Sequence, residues 1–327
     1  MSKNILVVGG AGYIGSHTTL ALRAAGFCVV VYDNFSSGYR SACFGDVLVE
    51  GDLADTDLLT QTMRAHQIDG VIHFAALIEA GQSVITPLPF FYNNVAGTLS
   101  LLDAMNAAGV RRLVFSSTAA VYGAVDSPLL SEDLPCAPIN PYGHSKAMVE
   151  TVLASCVSAH GLQVVSLRYF NASGADGQGR CGERHTPETH LVPLIIQAAR
   201  GKRDMIRIYG TDYATPDGTC VRDYIHVSDL ASGHVAALAY LQRVDCAGAL
   251  AINLGTGQGQ SVRQVIDAVA RISGNTFIVE KSPRRAGDPA VLVADVSRAR
   301  GILGWQAIHS NLDTIIRDAW NYAVAHL

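Results

Sequence analysis

The sequence predicts an α/β fold, a doubly wound parallel sheet of the Rossmann type with a smaller C-terminal α/β domain. Three observations lead there. Short β-branched runs at 5–8, 29–32, 47–49, 70–74, 113–116 and 164–168 alternate with helix-length stretches at 13–25, 55–66, 88–108 and 141–159. The runs are almost unbroken apolar segments, as strands covered on both faces require. A glycine cluster, Gly9-Gly10-Ala11-Gly12-Tyr13-Ile14-Gly15, follows the first strand directly and opens the first helix. Right-handed crossovers between such units give the doubly wound arrangement.

After about residue 171 the rhythm changes. Residues 171–184 are rich in glycine and polar side chains and read as a long loop. Beyond it a helix is expected near 190–200, strands near 206–209 and 250–253, and helices near 228–242, 261–272 and 310–324. The spacing predicts a first domain over 1–171, with segments near 221–242 returning to it, and a second over 172–327. A cleft would lie between them.

Composition narrows the function classes. Of 327 residues, 49% are apolar and 16% charged, so the chain can bury a large core and is not disordered. A net charge of −4 argues against a nucleic-acid groove or an acidic membrane partner. The longest uncharged stretch, 80–102, contains Pro87, Pro89, Asn93 and Asn94, which do not suit hydrocarbon. The apolar run at 5–8 is too short for a secretory signal. Seven cysteines (28, 43, 136, 156, 181, 220, 246) lie far apart, without a C-x-x-C pair. That pattern suits neither a disulfide framework nor a zinc site, so a reduced, cytoplasmic protein without a metal centre is expected.

The glycines carry the first piece of chemistry. Gly9, Gly12 and Gly15 permit a tight turn, close backbone approach to a pyrophosphate, and close packing of helix on strand. The helix N-terminus then offers its free N–H groups to the phosphates. The spacing is G-x-x-G-x-x-G, one residue longer than the usual dinucleotide fingerprint. Asp33 ends the second strand, 18 residues after Gly15, where a carboxylate accepts from ribose hydroxyls and repels a 2′-phosphate. NAD is therefore expected rather than NADP. Asp52, ending the third strand, is placed to meet the adenine amino group.

Tyr142 and Lys146 supply the second piece. Asn140 is a good N-cap and Pro141 fits the first helical position, so a helix should start here. The i, i+4 spacing puts phenol and ammonium on one face. A neighbouring ammonium favours the phenolate and should lower its pKa, making a general base able to take a proton from an alcohol during hydride transfer. Ser116-Ser117-Thr118 ends the fifth strand, where a hydroxyl could bridge substrate and Tyr142.

Together these residues resemble the extended short-chain dehydrogenase/reductase family. The motifs that carry the likeness are GGAGYIGSH (9–17), YDN (32–34), EGD (50–52), HFAA (73–76), NNVAGT (93–98), FSSTAAVYG (115–123), PYGHSK (141–146), RYFNASGA (168–175), VRDYIHVSDLA (221–231), NLGTG (253–257) and PRRAGDP (283–289). They span nearly the whole chain and are nearest to members that invert C4 of a UDP-hexose. The resemblance implies a redox-neutral interconversion of UDP-glucose and UDP-galactose. Tyr142 takes the 4-hydroxyl proton, hydride passes from C4 to retained NAD, and the 4-keto sugar turns before hydride returns. Thr118 matches the partner of the tyrosine, and Lys146 the residue that holds the nicotinamide ribose.

Further cofactor contacts implied by the resemblance are Tyr13, Ile14, Asn34, Ser37, Leu53, Phe74, Ala75, Ala76, Asn94, Ser116, Tyr169 and Phe170. For the UDP-sugar it implies Asn171, Arg207, Arg222, Arg285 and Asp288, with Tyr209 stacking on uracil and His190-Leu191 near the diphosphate. His190 stands where several members carry asparagine. Leu292 occupies the position that gates sugar size, and leucine there leaves acceptance of N-acetylhexosamines open. Ile78 replaces a lysine that meets the cofactor in other members, so another group must cover that phosphate.

Other UDP-sugars, N-acetylhexosamine, glucuronate or pentose, remain alternatives. A nucleotide-sugar 4,6-dehydratase needs an acid/base pair after the strand-end threonine, where this chain has Ala119-Ala120. A non-catalytic NAD-sensing protein tends to lose the tyrosine–lysine pair, which is present here. The resemblance also implies a homodimer, pairing the helices near 88–108 and 141–159, with Phe90, Leu99, Leu102 and Met105 as an apolar stripe.

Overall fold

The structure is a computed structural model that describes residues 3–125, 127–243, 248–285 and 287–327. The first part of the chain forms β1 (Asn4–Val8), α1 (Tyr13–Ala24), β2 (Cys28–Asp33), β3 (Val47–Glu50), α2 (Thr56–Ala65) and β4 (Gly70–His73). Then come α3 (Ala80–Ile85), α4 (Pro87–Phe90), α5 (Gly97–Ala108), β5 (Arg112–Thr118), α6 (Pro141–His160) and β6 (Gln163–Tyr169). The remainder supplies β7 (Asn171–Ser173), α7 (Leu191–Ala199), β8 (Met205–Tyr209), β9 (Val221–Arg222), β10 (Tyr224–His226) and α8 (Val227–Leu241). It ends with β11 (Ala249–Leu254), β12 (Gln260–Ser261), α9 (Val262–Ser273), β13 (Ile278–Ser282), β14 (Val291–Leu292) and α10 (Leu312–His326).

Seven strands make one parallel sheet in the order β11-β6-β5-β4-β1-β2-β3. The sequence explains why both faces are covered. On β1, Ile5 and Val7 join one apolar cluster with Leu22 of α1 and Leu230, Leu238 and Leu241 of α8. The intervening Leu6 and Val8 join the opposite one, with Leu59 of α2, Leu101 and Met105 of α5, and Val149 and Leu153 of α6. Strand alternation thus feeds two helical layers, which is why the strand reads as a continuous apolar run.

The predicted boundary at 171 does not follow the sheet. Ala249–Leu254, expected beyond it, pairs with β6 along its length and becomes the seventh strand. Helix α8 covers the same sheet face as α1. A third apolar cluster, apart from the sheet, gathers Val192, Ile195 and Ile196 of α7, Ile206 and Ile208 of β8, Val265 and Val269 of α9, and Ile315 and Ile316 of α10. The helix predicted over 88–108 is also more structured than its period suggested. It runs through α4, a π-helical turn over Phe91–Ala96, and α5. The wide turn buries the polar Asn94.

Two histidines in the sheet layers make a testable consequence. Thr98 Oγ1 donates to the Asn94 carbonyl (2.6 Å), so His73 Nε2 must donate to Thr98 Oγ1 (2.9 Å) and its Nδ1 is bare. His234 Nδ1 donates to the Leu230 carbonyl (2.8 Å), which leaves Nε2 bare. A second N–H on either ring would have no acceptor, and burial lowers their pKa values to about 3 and about 4. Unfolded histidine titrates near 6.5, so above that pH both states are neutral and stability is full. Below it the unfolded chain binds protons that the folded chain refuses, and stability falls until about pH 4 for His234 and 3 for His73. Each should cost about 2 kcal/mol between pH 6.5 and 5. Urea midpoints at pH 7.5 and 5, compared between wild type and His234→Gln, measure this, because His185 and His190, held charged by Glu183 and Glu188, respond in the opposite sense. An equal acid loss in the variant would contradict it.

Candidate active site

The carboxyl ends of β1, β2, β4, β5 and β6 open into one cleft of ≈ 320 Å³. This is the edge where open parallel sheets bind ligands. At one end Gly9 adopts φ +81°, and a Cβ there would lie 2.5 Å from the Ala75 amide nitrogen. A Cβ on Gly15 would lie 2.2 Å from the Gly9 carbonyl oxygen, which shows how tightly α1 packs on the turn. No side chain caps α1 at Gly12 and its first turn carries no acidic residue, so its N–H groups are left for an anion. Glycine freedom, absent caps and an aspartate at the next strand end fit a dinucleotide pyrophosphate and ribose.

Asp33 ends β2 in the same cleft and is held from two sides. Its Oδ2 accepts from the Ala11 amide (2.9 Å) and its Oδ1 from the Phe35 amide (2.8 Å). Each oxygen keeps a second lone pair for a ribose hydroxyl. Asp52 accepts from Asn34 Nδ2 (2.7 Å) and from the Ala54 amide (2.9 Å), so Asn34 and Asp52 form one wall. Tyr13 sends its hydroxyl to the Gly174 carbonyl (2.7 Å), tying the turn to the segment after β7. Ile14, Ser37, Leu53, Phe74, Ala75, Ala76 and Phe170 also line the cleft. Asn94 does not. Its carboxamide accepts from the Leu77 amide (2.8 Å) and donates to the Leu77 carbonyl and Ser145 Oγ (3.0 Å each), so it braces the wall from behind.

The proton-handling residues stand at the other end. Asn140 Oδ1 accepts from the Gly143 amide (2.8 Å) and Pro141 takes the first turn, so α6 starts as its sequence requires. A buried pair fixes the helix to the sheet: Arg168 Nε on β6 donates to Glu150 Oε1 on α6 (3.0 Å). Tyr142 is half-buried beside Thr118, whose hydroxyl favours the phenolate. Thr118 Oγ1 is itself fixed by the Ala120 amide (3.1 Å). Ser116 Oγ bonds the Tyr169 hydroxyl, and Lys146 Nζ donates to the Ser116 carbonyl (2.8 Å).

The expected acidification of Tyr142 by Lys146 is corrected by this geometry. Burial pushes the phenol up to about 12, the Thr118 hydrogen bond opposes that, and the Glu79 charge adds to it. Lys146 is directed into the sheet edge, toward Ser116 and over the Phe115 ring (4.9 Å), rather than at the phenol. Burial also lowers the lysine to about 7, against the pull of Glu150, so near neutral pH much of its charge is gone. Proximity on one helix face did not settle where the long side chain would end.

Asn171, His190 and Leu191 line the cleft as expected. Arg207, Tyr209, Arg222, Arg285, Asp288 and Leu292 are not among its lining residues. Arg285 stacks over the Tyr209 ring (4.0 Å). Arg222 Nη1 donates to the Val221 and Pro289 carbonyls (2.9 Å each), with Asp288 3.6 Å from Nη2. Leu292 packs with Tyr122, Leu130 and Phe170. Arg207 faces opposite to the buried Ile206 and Ile208 and lies 3.6 Å from Glu280 on β13.

Several lining residues escaped the sequence reading. Arg184, over the Tyr39 ring (3.3 Å), is with Lys146 one of two lysines or arginines that line the cleft among the described residues. Ile78 lines the same cleft. Glu183 and His185 also face the cleft, and with Glu188 and His190 they form one cluster. Its spacing, E-x-H-x-x-E-x-H over 183–190, lies between the end of the expected loop at 184 and the helix expected near 190.

Residues 5–255 match the sequence pattern of the NAD dependent epimerase/dehydratase family. A UDP-glucose 4-epimerase of Rhizobium meliloti is 49% identical over 321 residues, 98% of this chain and 97% of that one. The crystal structure of UDP-glucose 4-epimerase from Brucella ovis in complex with NAD is similar, with 48% identity, a TM-score of 0.95 and 98% of each chain covered. The epimerase from Bifidobacterium longum in complex with NAD+ and UDP gives 37% identity and a TM-score of 0.93 over 99% of each chain.

Proposed function

Because the chain belongs to the NAD dependent epimerase/dehydratase family, we propose that it interconverts UDP-glucose and UDP-galactose by reversible oxidation at C4 of the sugar. One observation carries this reading: a single cleft joins the Gly9–Gly15 turn and Asp33 to Tyr142 and Thr118. The cofactor-shaped end and the proton-handling end are thus parts of one site. NAD is the cofactor, held by the α1 N-terminus, Asp33, Asn34, Asp52 and Lys146. When bound, its oxidised nicotinamide accepts and returns hydride and adds positive charge beside Tyr142.

The chain's own residues do the remainder. Tyr142 takes the 4-hydroxyl proton and gives it back, and Thr118 orients the phenol through a hydroxyl anchored by Ala120. Asn171, His190 and Leu191 meet the diphosphate from within the cleft. Beyond it, the stacked Tyr209–Arg285 pair and the Arg222–Asp288 pair suit uracil and phosphate oxygens. Product analysis after incubation with UDP-galactose, UDP-N-acetylgalactosamine and UDP-glucuronate tests the reading. UDP-glucose should form from UDP-galactose without net release of NADH. No conversion of UDP-galactose by NAD-loaded protein would overturn it.

Asp33→Asn should weaken the preference for NAD over NADP, since the 2′-phosphate no longer meets a carboxylate. The ratio of the two cofactor affinities reads this directly. An unchanged ratio would assign ribose selection to another group.

A homodimer in the cytoplasm completes the proposal. Of the stripe read from the sequence, Phe90, Leu102 and Met105 are buried in the chain's own core, and Leu99 alone is exposed. The apolar surface on these helices is instead Val84, Ile85, Leu88, Tyr92, Leu99 and Met148. That surface supports pairing through α3–α5 and α6. Free thiols at the six cysteines in described positions suit a reducing compartment, and Cys246 lies outside the described residues. No described helix is long and apolar enough to cross a membrane.

A further inference from the structure

We propose that Glu183, His185, Glu188 and His190 form a tetrahedral site for a divalent transition metal of the zinc type. Among the described residues this is the one group of three or more potential ligands, and its four ligand atoms lie within 4.8 Å of one another. His190 Nδ1 is 2.9 Å from Glu183 Oε1 and 3.2 Å from Glu188 Oε1. His185 Nδ1 is 3.5 Å from Glu183 Oε1 and 3.6 Å from Glu188 Oε2. A tetrahedral zinc with bonds of 2.0–2.2 Å separates its ligands by about 3.3–3.6 Å. The imidazole–carboxylate separations of 2.9–3.6 Å approach that spacing, with Glu188 meeting the two histidines through different oxygens.

A second observation points into the same space. His185 Nδ1 is buried and has no hydrogen-bond partner, although it faces both carboxylates. Such a nitrogen is satisfied by a metal ion. The donor set decides the class of ion: two imidazoles favour zinc, cobalt or nickel over magnesium or calcium, which take oxygen donors. Two carboxylates balance the charge of a divalent ion. Glu188 is oriented by the Thr189 amide (2.7 Å) and the His190 amide (2.8 Å), as supporting hydrogen bonds orient metal ligands elsewhere.

The place of the cluster gives it a consequence. It forms part of the wall between the main cleft and a second cavity of ≈ 430 Å³, with Glu183 and His185 facing both. The segment leads directly into α7, which begins at the cleft residue Leu191. A bound ion would pin residues 183–190 against the substrate end of the cleft. The inference does not depend on the activity proposed above, because binding can be read without turnover.

Full-length protein stripped with chelator and titrated with Co²⁺ provides the test. One equivalent should bind with the intense visible absorption of tetrahedral cobalt, and Zn²⁺ should displace it while Mg²⁺ does not. His185→Ala and Glu188→Gln should each weaken binding at least 10-fold, with circular dichroism checking the fold. X-ray absorption of the zinc-loaded wild type tests the site should a variant fail to fold. A shell of two imidazoles and two oxygens is expected. Sulfur in that shell would move the metal to Cys181, and no saturable binding would leave an ion-paired cluster alone; either result overturns the proposal.

Discussion

Tyr142→Phe is expected to lower kcat for UDP-galactose by about 10²–10⁴-fold, the range over which a positioned acid/base acts. The change removes one oxygen, so the ring, its burial and the start of α6 are kept. The helix depends on Asn140, Pro141 and the Arg168–Glu150 pair, none of which the substitution touches. KM for the UDP-sugar and retention of NAD should therefore stay near wild type. A comparable loss in KM would mean the phenol mainly binds substrate, and near-normal kcat would assign the proton to another group. With the phenol near 12 and the lysine near 7 in this structure, the wild-type rate should rise with pH wherever deprotonated Tyr142 is the reactive form.

Gly15→Ala is expected to destabilise the protein by about 2–3 kcal/mol or more and to abolish retention of NAD. Its Cβ would stand 2.2 Å from the Gly9 carbonyl oxygen and 2.9 Å from Gly10 Cα, so α1 must move away from the turn. Overpacking of this kind costs about 1–3 kcal/mol, and a clash with backbone sits at the upper end. Gly12→Ala separates packing from ligand approach. There the Cβ meets the Gly9 oxygen at an ordinary 3.4 Å and the residue has φ −79°, so the fold should survive. The new methyl would still crowd the surface that pyrophosphate approaches, and NAD should be lost without a comparable fall in melting temperature. Thermal melts and measurement of copurifying dinucleotide distinguish the two. Equal melting losses would mean that both glycines serve packing alone.

Much of this architecture is written locally. The strand at β1 alternates between two apolar clusters because its side chains alternate, and the parallel sheet needs both faces covered. The α6 cap, the glycine turn and Asp33 at the end of β2 follow from residue types whose backbone preferences act over a few positions. For that reason the cofactor end of the cleft and the Tyr142–Thr118 pair could be named before any coordinates. Local preference is less informative where a side chain is long or a loop returns from afar. Lys146 lies on the expected helix face, yet its side chain reaches Ser116 on β5.

The chain by itself determined its fold class, its family and the residue types that could move a proton and hold a dinucleotide. All of these rest on short-range geometry and on motif order along one dimension. Tertiary structure alone decided that Ala249–Leu254 returns as the seventh strand and that Asn94 braces the cleft instead of lining it. It also decided that Arg184 stacks on Tyr39 and that four acidic and imidazole groups of a loop converge. Those outcomes depend on contacts between segments far apart in sequence and on where flexible side chains end, which no local pattern encodes.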